Sequence, residues 1–150
     1  MTNTALSHWL HTFFHEWLGQ QRNASRHTVL SYRDTWRLFL RFVAAHRGRS
    51  VSKLTVTDLT GDEVLAFLNY VEVERHGTIG TRNCRLAALR SFYRFVFERE
   101  PLLSAQCAEV LRIPTKRAPQ PALCYLDTDE VAAILQQPDR STLEGQRDHA

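Results

Sequence analysis

Residues 78–99 read TIGTRNCRLAALRSFYRFVFER. Thr78 has the side chain of a helix N-cap. Leu86, Leu89, Phe92, Tyr93, Val96 and Phe97 then recur at three- and four-residue steps, which predicts a helix with one apolar face turned inward. Projected at about 100° per residue, Arg90 and Arg94 fall on the edge of that face and are expected to reach solvent or pair with Glu98. Arg99 falls at the C-terminal end, where the helix dipole favours a cation. Arg82 and Arg85 lie beside Thr81 in the first turns. Basic side chains there oppose the dipole, yet arginines beside free helix amides suit phosphate oxygens.

Three more striped segments surround this one. Leu6, Trp9, Leu10, Phe13, Trp17 and Leu18 form a wide apolar stripe over the first helix. Ser25 is a second N-cap, opening a helix whose inward face is Val29, Tyr32, Trp36, Phe39, Leu40 and Val43 and whose stop is Gly48. Its start, Arg26, His27 and Thr28, resembles the Thr/Arg set at residues 78–85, and Arg33, Arg37 and Arg41 recur every four residues on its outer side. Residues 60–63, TGDE, have the form of a capping box, with Glu63 reaching back. They open a helix that ends at Gly77 and turns Val64, Phe67, Leu68 and Val71 inward. Four helices with short links make an all-α, compact four-helix bundle.

Pro101 closes the fourth helix, and a short helical turn is expected at SAQCAEVL (residues 104–111). RIPTKRAPQP, residues 112–121, reads as an extended basic linker. LDTDEVAAIL follows, with Asp127 and Glu130 as a further capping box. Residues 122–150 hold too little for a core of their own and read as the helical first piece of a second domain. The expected division is 1–111, 112–121 and 122–150.

Net charge is +3 over 150 residues, with Arg far outnumbering Lys. Arginine's planar fork suits phosphates and guanine edges. Three cysteines without a CxxC pair fit a reduced, cytoplasmic protein. No run is long enough to span a bilayer. His8, His11 and His15 share one side of the first helix without the further ligands a metal site needs, and no nucleophile, P-loop or paired-carboxylate motif is present. No metal, cofactor or catalytic residue is expected.

SRHTVLSYRDTWRLFLRFV (25–43), LTVTDLTGDEVLAFLNYVE (54–72) and GTIGTRNCRLAALRSFYRFVFE (77–98) together resemble the N-terminal SAM-like core-binding domain of tyrosine recombinases, the phage-integrase and Xer-like enzymes. The matching positions are Tyr32, Phe39, Phe42, Asp58, Thr78, Arg82, Ala88, Leu89, Arg90, Phe92 and Tyr93. The resemblance implies a bundle that clamps one face of a double-stranded DNA site beside other recombinase protomers, for DNA integration or recombination. It implies DNA contacts by Arg26, His27, Thr28, Thr81, Arg82 and Arg85, and by Lys116 and Arg117 where the linker crosses the duplex. Arg33 joins this set from the outer face of the second helix. The family's tyrosine nucleophile and its arginine, lysine and histidine partners have no matching positions here. A second reading is a protein-interaction module that docks through Trp9, Phe13, Phe14 and Trp17.

Overall fold

The computed structural model describes residues 5–118, within the first of two units, Met1–Ala118 and Pro119–Ala150. The end of the linker, the Asp127 cap and the fragment at 122–150 lie outside the described residues. Among the described residues the regular structure is helical, with one isolated antiparallel bridge between Ala5 and Thr55.

Helix α1 (Leu6–His11) passes without a break into a π-helical segment (Thr12–Gln21). The i→i+5 bonds of a π turn stack residues five apart. Phe13 and Leu18 are accordingly both buried, while Leu10 and Trp17 of the expected stripe are half-buried. Trp9 and Phe13 are core residues, so the four-aromatic docking face expected on this helix does not exist as a surface. Its rings pack inward instead: Phe13 meets Phe92 edge-on at 5.4 Å, and Trp9 meets Phe95 at 6.0 Å.

Helix α2 (Arg26–Arg47) begins as expected, with the Ser25 hydroxyl accepting from the Thr28 amide at 3.2 Å. It ends at Gly48, whose φ of 63° is a left-handed conformation open to glycine. Two 3₁₀ turns, Val51–Lys53 and Val56–Asp58, lead to α3 (Gly61–Val73). Thr60 caps α3 by accepting from the Glu63 amide, but Glu63 does not reach back. Its carboxylate is buried against the last turn of α2, on His46 Nδ1 at 2.8 Å and Arg47 Nε at 3.0 Å. The basic end of one helix thus meets the acidic start of the next, the arrangement both dipoles favour. Asp58 joins it, accepting from Arg47 and Arg49.

Helix α3 stops short of Gly77. The chain reverses through His76, at φ 53°, and the Gly77 amide returns to the Val71 carbonyl at 2.9 Å. A Cβ on Gly77 would lie 2.8 Å from that oxygen, so the approach requires glycine.

Helix α4 (Ile79–Arg99) is the axis of the bundle. Leu86, Leu89, Phe92, Tyr93 and Val96 are buried as expected, and so are Ala88 and Phe95. Phe97 departs from expectation and is 43% exposed. The reason is that α4 is covered from more than one side. Phe92 faces Trp36 of α2, Phe95 faces the first helix, and the Tyr93 hydroxyl donates to the Leu59 carbonyl at 2.6 Å. A 3₁₀ turn (Pro101–Leu103) and α5 (Ser104–Leu111) complete the packing, with Cys107 and Val110 buried. Gln106 donates to the Val56 and Leu59 carbonyls, pinning α5 to the loop before α3.

Candidate nucleic-acid interface

The starts of α2 and α4 are built alike. In each, a Ser or Thr cap accepts from an amide three residues on, and the cap hydroxyl also bonds a threonine hydroxyl: Ser25 with Thr28 at 3.0 Å, Thr78 with Thr81 at 3.1 Å. Neither first turn carries an acidic residue, whereas that of α3 carries Asp62 and Glu63. Both cap structures leave first-turn amides without helical partners, and the dipole makes each end positive.

These two starts border one groove. Thr78, Thr81, Cys84 and Arg85 of α4 face Ser31 and Asp34 of α2. His27, Thr28 and Tyr32 of α2 continue the wall opposite Cys84 and Ala87. Farther along, Tyr32 and Ala87 are joined by Arg22, Arg90, Arg94 and Thr115. Arg85, Arg22, Arg90 and Arg94 line this groove, together with the Asp34 carboxylate. Arg85 donates from Nη1 to the Thr35 hydroxyl at 3.0 Å, so one edge of its guanidinium is anchored on α2.

The expected contact residues therefore separate. His27, Thr28, Thr81 and Arg85 come together in the groove, and Arg26 is exposed at the first position of α2. Arg33 is exposed but lines a different groove, between α2 and the first helix, with Arg37, His11 and His15. Arg82 is buried at 5% exposure, contrary to its expected place on the surface. Its Nε pairs with Glu72 at 3.2 Å, and its Nη1 donates to the Pro114 carbonyl at 3.1 Å. It lies in line with the apolar stripe, and the returning chain covers it. Lys116 is also engaged, with Nζ 2.9 Å from Glu72. Arg117 is exposed.

Sequence reasoning missed two features. Arg90 donates to the carbonyls of Leu111 and Ile113 rather than reaching solvent. Arg22 lies over the Trp17 ring at 5.0 Å and enters the groove wall, through a five-residue spacing that an α-helical projection does not pair. Arg99 behaves as expected, donating to the Phe95 carbonyl at 3.1 Å.

Burial pushes the Asp58 carboxyl upward, but the Thr55 amide and hydroxyl and the nearby Arg49 and Arg47 outweigh it and hold the group below its usual value. Burial pushes the Cys107 thiol up to about 11. Cys84, by contrast, is exposed in the groove. Among the described residues no cluster of histidine, cysteine and carboxylate side chains could hold a metal ion, and no helix is long and apolar enough to cross a membrane.

The all-α bundle is consistent with the SAM-like domain that the sequence resembles. Residues 12–100 match the family model for the phage integrase N-terminal SAM-like domain, and the chain belongs to that family. Among curated relatives, the putative integrase/recombinase y4rC of Sinorhizobium fredii is 40% identical over 148 residues, covering 99% of this chain and 45% of its own length. The putative integrase/recombinase y4rD of the same organism is 39% identical, over 93% of this chain and 50% of its own. Tyrosine recombinase XerC of Rhodospirillum centenum is 33% identical, over 81% of this chain and 34% of its own. The chain thus spans about half the length of these relatives or less. No solved structure matches.

Proposed function

We propose that the chain is the DNA-binding N-terminal part of a site-specific tyrosine recombinase, acting in the cytoplasm, and that it holds double-stranded DNA along the α2/α4 groove. The observation that carries this reading is the pairing of two acid-free helix starts, with Arg26, His27, Thr28, Thr81 and Arg85, along one groove. Phosphate oxygens fit such a surface twice over, through helix amides and through arginine forks. Arg22 and Arg94 extend the basic wall farther along α4, and Arg117 adds an exposed charge.

Binding by this part alone is a half-clamp held largely by phosphate contacts. Strand cleavage and rejoining are assigned to catalytic residues with no matching position among these 150. Neighbouring protomers on the same DNA would supply the other half of the grip in recombination. Arg85→Ala and Thr81→Ala test the assignment in a binding titration with duplex DNA at low salt. Each is expected to weaken binding by about three- to tenfold, the worth of one charged or hydrogen-bonded phosphate contact, with helical content and cooperative unfolding retained. Unchanged affinity in both variants would remove the groove from the interface.

A further inference from the structure

After α5 the chain stays against the bundle through Lys116. It runs back along α4, and three polar side chains on that helix fasten its main chain. Arg90 holds the carbonyls of Leu111 and Ile113. Arg82 holds the carbonyl of Pro114. Asn83 makes a two-way bond with Lys116: its Oδ1 accepts from the Lys116 amide at 3.0 Å, and its Nδ2 donates to the Lys116 carbonyl at 2.8 Å. Glu72 of α3 closes the set by pairing with both Arg82 and the Lys116 amine. Ile113 is buried at 5% exposure beneath this polar row.

The bonds from Arg82, Asn83 and Arg90 satisfy main-chain groups that an extended, proline-bearing segment cannot satisfy in itself. Arg82 and Arg90, expected on sequence grounds to face DNA or solvent, each donate to this segment instead. The segment is therefore a strap keyed to α4, and residues 112–116 of the expected linker are fastened to the bundle.

We propose that Asn83, with Arg82 and Arg90, is a positioning residue for DNA binding: the strap holds the Lys116 amine on Glu72 and delivers the exposed Arg117 to the duplex at a fixed place relative to the α4 start. This rests on the DNA-binding reading above. A pre-set arginine contributes to affinity because the ordering of the chain that carries it is completed before DNA arrives.

Asn83→Ala and Asn83→Asp in the whole chain test it through two readouts, amide hydrogen exchange at Lys116 and titration with duplex DNA. In the parent chain the Lys116 amide should exchange at least about tenfold more slowly than in an unstructured peptide, as a hydrogen-bonded amide does. Asn83→Ala should bring it to the peptide rate, with α4 amides still protected, and should weaken DNA binding by about three- to fivefold through lost preorganisation. Asn83→Asp retains the acceptor and should retain the protection. A Lys116 amide that exchanges freely in the parent chain overturns the strap. Lost protection in Asn83→Ala with unchanged DNA affinity overturns the positioning role. If the parent chain fails to bind DNA at low salt while Lys116 stays protected, the DNA-binding reading falls and the positioning role falls with it, but the strap does not.

Discussion

Tyr93 shows how single residues divide between core and surface on the central helix. Its ring is fully buried, and its hydroxyl has one partner, the Leu59 carbonyl. Tyr93→Phe removes that donor, while Gln106 continues to donate to the same carbonyl at 2.9 Å. The expected loss is about 1 kcal/mol, the net worth of one hydrogen bond whose acceptor stays partnered, measured by denaturant unfolding. The cysteines divide in the same way. Cys84 lies exposed in the groove, while Cys107 is buried with its thiol pushed up to about 11. A thiol-alkylating reagent at neutral pH should modify Cys84 in the folded chain and reach Cys107 only after unfolding, as peptide mass spectrometry would show. Asp34 places a negative charge on the groove rim. Asp34→Asn should tighten DNA binding by about two- to fivefold at low salt, with the gain shrinking as salt screens the repulsion.

At the scale of the element, local chemistry decides boundaries that periodicity leaves open. The caps Ser25, Thr60 and Thr78 and the Gly48 stop were legible because each is a local signal needing only its own few residues. The π turn after His11 was not, since the apolar residues from Leu6 to Leu18 fit an α-helical stripe closely enough to hide a five-residue step. The faces of α4 were read as one because a projection shows a single stripe. A helix covered by the first helix, α2, α3 and α5 together has no single inward side, and so Phe95 is buried while Phe97 is not. Gly77 makes the sharpest test of an element boundary. Gly77→Ala puts a Cβ against a main-chain carbonyl that cannot yield and should destabilise the bundle by about 1–3 kcal/mol. The junction of α2 with α3 has a pH signature. Asp58 is held below its usual value of 3.8, so its contribution is complete above that pH and is lost as pH falls through its lower folded value. Asp58→Asn should flatten the acid limb of stability below about pH 4.

Over the whole molecule, the fold was written in the sequence more plainly than the interface. Four amphipathic stripes with caps and stops dictate a bundle, and buried Phe39, Phe67, Phe92 and Tyr93 occupy the faces the spacing assigns them. The interface depends on which helix ends meet in space. The groove gathers Thr81 and Arg85 with His27 and Thr28, while Arg82, next to the groove residue Thr81 in sequence, is turned under the returning chain. That burial comes from contacts more than thirty residues away in sequence, with Pro114 and Lys116 covering the α4 start. No local pattern announces it.

A bundle that holds DNA through phosphates releases counterions on binding. The most direct measurement is the affinity of the whole chain for duplex DNA across a series of salt concentrations. With Arg26, Arg85, the helix starts and Arg117 on phosphates, log K should fall linearly with log salt at a slope of about −3 to −4. Binding that is absent at low salt, or that is indifferent to salt, would contradict the account.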